Sequence, residues 1–259
     1  MKNKITLIAF LLTSVFYGQK TVNASKVLED IKLGKSIEYS NTKIIGVLDL
    51  TYMDDALEKL PNKKKNSWWG NGSSNEIKKI IDVKISFQNC VFEDDVLAYI
   101  PDDVSGYTFT ANFEDVAIFK NCHFKEKAMF KYSRFEKNSD FSGSIFDDDT
   151  TFKYAKFDRD INFSSTKFTE SATFKYAKFR NNVSFSNAIF EDSAIFKYTQ
   201  FDDGVSFRNT DFQDDLDIKY MKVSGNFDIS NMKVGYDIDS KYTQINGKSF
   251  NKYLISNNN

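Results

Sequence analysis

The apolar positions of this chain keep a beat that neither a helix nor an ordinary strand produces. From Phe119 to Phe212 a phenylalanine recurs at alternating gaps of five and six residues, eighteen times without a miss. An amphipathic helix would repeat its apolar positions at three and four, and a half-buried strand at two. Gaps of five and six describe short extended sides broken by corners. On each side the anchor and the residue two before it share a face, because strand side chains alternate. Those partners are small: Ala117 before Phe119, Ser133 before Phe135, Ala155 before Phe157, Val183 before Phe185. A large anchor beside a small partner fills a narrow tube.

The true period is twice eleven. Lys-Tyr opens the segments KYSRF (131–135), KYAKF (153–157), KYAKF (175–179), KYTQF (197–201), KYMKV (219–223) and KYTQI (241–245), whose starts are 22 residues apart. The segments between them never begin this way. One coil is therefore about 22 residues with four anchors, and a fixed period of this length marks a repeat architecture. The phase continues past Phe212 through Ile218, Val223, Ile229 and Val234, now with the larger partners Leu216, Met221, Phe227 and Met232. An early coil, IIGVLDLTYM (44–53), aligns with VSGNFDISNM (223–232). The pattern predicts a rod over 44–245, with a loop insertion at 54–78 and the repeat resuming near Val83.

In SNAIF (186–190) and SGSIF (142–146) the small–x–Phe core resembles the pentapeptide-repeat family. The resemblance covers about 44–53 and 83–245. It implies an all-β, right-handed, four-sided parallel β-helix serving as a non-enzymatic binding or structural module. The chain departs from the family motif by one extra residue on alternate sides. Some family members mimic duplex DNA and bind topoisomerases, which is one alternative function. A carbohydrate-active β-helix enzyme is a lesser one.

Stacked coils leave bare strand edges at the ends of a rod, and such edges invite unwanted pairing. A cap is expected in 20–43, where ASKVLEDIKLG (24–34) has a short helical pattern stopped by Gly34. The tail, 246–259, is expected to cover the other end with Phe250, Tyr253 and Leu254. Open ends would also allow an end-to-end homodimer. Residues 1–19 read as a signal peptide: Lys2 and Lys4 precede an apolar stretch, Ile5 to Phe16, too short for a membrane span. The mature chain is thus expected to be exported, periplasmic or extracellular, without a membrane span.

The formal net charge of -1 hides strong polarity. The six Lys-Tyr segments hold ten cations and no acid, whereas the stretches DDDTTF (147–152), TESATF (169–174), EDSAIF (191–196), QDDLDI (213–218) and GYDIDS (235–240) hold eleven acids and no cation. The candidate binding stripe is Lys131, Tyr132, Lys153, Tyr154, Lys175, Tyr176, Lys197, Tyr198, Lys219 and Tyr220, suited to an anionic glycan or a protein partner. Like charges stacked in water cost little, so the same stripe could be purely structural, its tyrosines aligning the coils. A second candidate is the loop holding Lys63, Lys64, Lys65, Trp68 and Trp69. Nucleic acid is disfavoured because the chain carries no overall basic charge and reads as exported.

Catalytic, cofactor and metal sites are not expected. His123 is the only histidine, and Asp147, Asp148 and Asp149 lack the glycine-punctuated loop of a calcium site. Cys90 and Cys122, in QNCVF and KNCHF, occupy the small-partner position. They read as small buried side chains or as a disulfide, with the register between them blurred by an insertion near Pro101.

Overall fold

The computed structural model describes residues 20–61 and 75–257. The expected leader, 1–19, lies outside the described residues, as do Lys63, Lys64, Lys65, Trp68 and Trp69 of the candidate loop.

Four parallel sheets form the sides of a β-helix, and eight coils run through them in a constant order. The first side begins with Ile37–Ser40 and Ile85–Gln88 and ends with Phe227–Asp228. The second starts at Thr42–Ile45, the third at Leu48–Asp49 and the fourth at Glu76–Ile81. Each strand pairs with the strand one coil away, as when Phe135 aligns with Phe157 and Phe157 with Phe179. All eighteen repeat phenylalanines are at most 2% exposed.

Inside the tube the rings order themselves in two ways. Along one side they stack face to face, Phe141 on Phe163 at 5.3 Å and Phe163 on Phe185 at 5.0 Å. Across the tube, rings of the first and third sides meet edge to face, Phe163 against Phe152 at 5.2 Å and Phe174 at 5.5 Å. Both arrangements suit the ring quadrupole. The small partners have a second task besides leaving room. Ser144 Oγ donates to the Phe119 carbonyl at 2.5 Å, and Thr199 and Thr210 donate to the Phe174 and Phe185 carbonyls at 2.8 Å. At Phe174 and Phe185 the hydroxyl is a second donor beside the turn N–H of Ala177 or Ala188, so these buried corner carbonyls are fully paired.

The cysteines take the same position. His123 pairs with Val91, so Cys122 stacks on Cys90 one coil below; both are free thiols, each 1% exposed. Cys122 Sγ donates to the Phe87 carbonyl at 3.4 Å, and Cys90 Sγ to the Gln88 carbonyl at 3.4 Å. The small-side-chain reading describes them, and no bond joins them.

Two expected boundaries move. The rod starts before Ile44, because Ile37–Ser40 already pairs with Ile85–Gln88 and Lys20–Asn23 pairs with Thr42–Ile45. The insertion ends before 78, since Glu76–Ile81 is already the fourth side of the first coil. The alignment of 44–53 with 223–232 is also half a coil out of phase. Ile44 aligns with Phe92 on the second side, whereas Val223 aligns with Phe201 on the fourth. An eleven-residue beat repeats twice per coil and cannot tell opposite sides apart.

Helix α1, Ala24–Lys32, buries Ala24, Val27 and Ile31 against the first coil. Asn23 caps it by accepting from the Ser25 N–H at 2.9 Å. Gly34, at φ 71, ends it, with its own N–H and that of Lys35 returning to Ile31 and Asp30. Helix α2, Met53–Leu57, opens the insertion of the first coil. At the far end Lys248–Ser249 folds back on Gln244–Ile245, and α3, Phe250–Asn257, sets Phe250 against Phe227. Leu254 packs on the same core, while the Tyr253 side chain lies outside the described residues. The chain itself covers the first coil with α1 and part of the last with Lys248–Ser249 and α3.

Candidate functional site

Corners, not sides, distinguish this rod. The five-residue gaps require a tight turn with one residue in the left-handed region, two positions after the anchor. Between the first and second sides that residue is Asn41, Asn89, Asn121, Gly143, Ser165, Asn187, Asn209 or Asn231. These are residue types that tolerate positive φ, and the asparagines use the position. Asn121, Asn209 and Asn231 each donate through Nδ2 to the asparagine one coil below, at 3.0–3.2 Å.

Between the third and fourth sides the same turn is filled by tyrosine. Tyr132, Tyr154, Tyr176, Tyr198, Tyr220 and Tyr242 all have φ between 57 and 64, and Tyr52 holds the same place in the first coil at φ 53. The Tyr of the Lys-Tyr segments is thus the corner residue itself. A bulky side chain there costs about 1–2 kcal/mol. Ring contacts return part of it: Tyr132, Tyr154, Tyr176, Tyr198 and Tyr220 stack successively at 5.0, 4.7, 4.7 and 4.5 Å with planes within 10°. Each such contact contributes about 0.5–1.5 kcal/mol. Strain and stacking nearly cancel, so stability alone does not favour tyrosine over asparagine here.

The ladder also limits what the tyrosines can offer. Each ring has its faces against its neighbours, so a sugar cannot lie flat on them; the stripe presents ring edges and hydroxyls. Burial, then the neighbouring phenols, pushes the Tyr154 and Tyr198 hydroxyls up, which keeps them protonated donors. Alongside runs the lysine row. Lys153, Lys175 and Lys197 lie 5.4–5.7 Å from the centroids of their own tyrosines. A ring quadrupole holds an ammonium without cancelling its charge. Among the described residues no carboxylate lies within ion-pair distance of these three. Burial, reinforced by Lys131 and Lys175, pulls the Lys153 ammonium below its ordinary range.

Some of the other cations of the Lys-Tyr segments find partners, whereas Lys156, Lys222 and Lys241 have no ion pair among the described residues. Arg134 bonds Asp158 at 2.6 Å, and Lys178 reaches Asp202 at 3.4 Å, both across the next corner. Lys219 pairs with Asp239 at 2.6 Å, and Lys131 donates to the Tyr99 hydroxyl at 2.9 Å. The ten cations seen in sequence are therefore two rows, and one of them keeps three successive ammoniums, Lys153, Lys175 and Lys197, without an ion pair. Beside it the third side forms an open groove of ≈ 550 Å³, floored by Met129, Thr151, Thr173 and Ile195, with Asp149 and Asp217 also in its lining. Its far margin is the acidic corner, with Asp148, Glu170, Asp192 and Asp214 in successive coils.

Both interruptions of the rod leave from this same tyrosine corner. The first coil departs through α2, and the second through the hairpin Tyr99–Asp102 with Tyr107–Phe113. His123 instead lies on the second side with Nε2 2.5 Å from Asp147 Oδ2. No three His, Cys, Asp or Glu side chains cluster as a metal site among the described residues. No described helix is long and apolar enough to cross a membrane.

Four parallel sheets stacked on a phenylalanine core define a repeat solenoid of the parallel β-helix class. The model for pentapeptide repeats matches three overlapping stretches, 109–156, 152–200 and 174–221, with nine copies. Residues 109–221 belong to the pentapeptide-repeat family, and the same four-sided coils continue on either side of the matched stretch. No curated protein and no solved structure gives a match.

Proposed function

We propose that this chain is an exported, non-catalytic scaffold whose tyrosine corner binds an anionic glycan through Lys153, Lys175 and Lys197. The observation that carries this reading is the pairing of strained corner tyrosines with three successive lysines, Lys153, Lys175 and Lys197, that have no carboxylate within ion-pair distance among the described residues. Strain held in repeated register, where asparagine serves the opposite corner, points to a surface with a task. Un-neutralised ammoniums and phenol hydroxyls are all donors, so the row suits carboxylates or sulfates. Export rests on the basic start and apolar stretch of 1–19. Duplex mimicry fits less well, because the lysine row interrupts the negative field that a topoisomerase partner would read.

The test is the combined substitution Lys153→Gln, Lys175→Gln and Lys197→Gln, compared with the parent chain on an anionic-glycan column. The parent is expected to be retained at physiological salt and the variant to elute in the void. Unchanged retention would make the stripe structural only. Capture of a topoisomerase by the parent chain would replace the reading with the mimicry one.

A further inference from the structure

We infer that two copies of this chain join at their last coils, about a two-fold axis at the Tyr236 corner that pairs the second side of each rod with the third side of the other. The interface lies apart from the middle of the lysine row and is independent of glycan binding.

Three of the four sheets stop at the last coil with no further strand among the described residues: at Phe227–Asp228 on the first side, Lys233–Val234 on the second and Ile238–Asp239 on the third. The cap reaches only half of this end. Lys248–Ser249 pairs over the fourth side, and Phe250 of α3 sits against Phe227 of the first. On the other half Val234 and Ile238 are partly exposed, although Phe212 and Leu216, aligned with them one coil below, are buried. A bare edge beside an open core is a template for another strand.

What the edge presents specifies the occupant. One coil below, the Thr210 and Phe212 carbonyls accept from Lys233 and Gly235, and the Leu216 and Ile218 N–H groups donate to Asp237 and Asp239. At the end the same positions are the Met232 and Val234 carbonyls before the corner and the Ile238 and Ser240 N–H groups after it. A two-fold axis perpendicular to the rod through this corner lays the two edges antiparallel. The carbonyls of Val234 and Met232 then face the N–H groups of Ile238 and Ser240 in the second copy. The same register sets Val234 against Ile238 inside and Lys233 against Asp239 outside, an apolar pair and an opposite-charge pair. Asp239, which already holds Lys219 in its own chain, takes a second cation. Pairing the second side with its own copy would instead bring two Lys233 ammoniums together.

The corner residue changes where the copies meet. Asp148, Glu170, Asp192 and Asp214 hold this corner in successive coils, and the next position in the row is Tyr236, 80% exposed. Acids there would face each other across the axis, whereas tyrosines bring two rings into contact.

Sedimentation equilibrium of the full chain at micromolar concentration should give twice the chain mass. Tyr236→Asp returns the acid to the corner, and Lys233→Glu opposes two acids; each should weaken the dimer by at least about tenfold. Asp239→Lys opposes two lysines and should do the same. Mixing Lys233→Glu chains with Asp239→Lys chains restores opposite charges at both contacts, so the mixture should dimerise as the parent does, which also shows that both variants fold. A parent that stays monomeric overturns the inference, as does a dimer that survives Tyr236→Asp and Lys233→Glu. A mixture that fails to recover overturns the pairing of Lys233 with Asp239.

Discussion

The two five-residue corners of this rod share a backbone and differ in what fills it. At one, asparagine, serine or glycine accepts the left-handed turn, and the asparagines bond to each other. At the other, tyrosine is forced into the same turn and repaid by stacking. The first corner is what folding alone selects. The second shows that a repeat protein can hold a costly side chain at one position in every coil when neighbouring coils supply the compensation. The lysines that precede those tyrosines are left without acids in the middle of the row, although acids line the opposite margin of the same side. In the middle coils Thr151, Thr173 and Ile195 hold the outward strand position that Asp217 and Asp239 take further along the same side.

The comparison assumes a core indifferent to which corner lies above it, and Phe163→Ala probes that first. Phe163 is fully buried, stacked on two rings and edge-on to others. Its loss should cost about 3–5 kcal/mol, read as a fall in the urea midpoint at constant slope. A change below about 1 kcal/mol would mean the core is not the common support.

Exchanging the corner residues gives the next effects. Asn209→Tyr puts a strained ring where no stacking partner exists and removes hydrogen bonds to Asn187 and Asn231. It should destabilise by about 1–3 kcal/mol. Tyr176→Asn relieves strain as it removes two ring contacts, so stability should change by less than about 1 kcal/mol. Should Tyr176→Asn cost as much as Asn209→Tyr, the tyrosine corner would be a stability device and its functional reading would weaken.

The smallest effect is in pH. Lys153 is pulled below its ordinary value of 10.5 by burial and by Lys131 and Lys175. Its native form releases its proton before the unfolded chain does, so this residue favours the fold more as pH rises through that window. Polyanion retention should run the other way, declining from below pH 10.5 as Lys153 loses charge. In Lys175→Gln the decline should begin at a higher pH; an unchanged onset would show that the lysines do not interact.

Much of this was legible in one dimension. The alternating gaps implied short sides, the Lys-Tyr spacing implied a 22-residue coil, and the small partners implied an interior too narrow for two large residues. The ladder of outward tyrosines was legible too, but not its left-handed backbone, because nothing in the residue type tyrosine announces positive φ. Placing Ile44 opposite its true side followed from a beat that repeats twice per turn. The stacking of Cys122 on Cys90 stayed hidden because the hairpin after Tyr99 adds ten residues to the spacing without adding a coil.

What the sequence by itself determined is periodicity: how many residues make a coil, which of them face inward, and which charges fall on which corner. Each follows from local alternation and from repetition, which need no knowledge of distant contacts. Only the tertiary structure decided which charges remain. Arg134 finds Asp158, Lys178 finds Asp202 and Lys219 finds Asp239 across a coil or a corner. Lys153, Lys175 and Lys197 border a groove of threonine and isoleucine in which Asp149 and Asp217 lie without closing an ion pair to them. Ion pairing depends on distances of a few ångströms between residues twenty or more apart in the chain, and only the stacking of coils sets those distances.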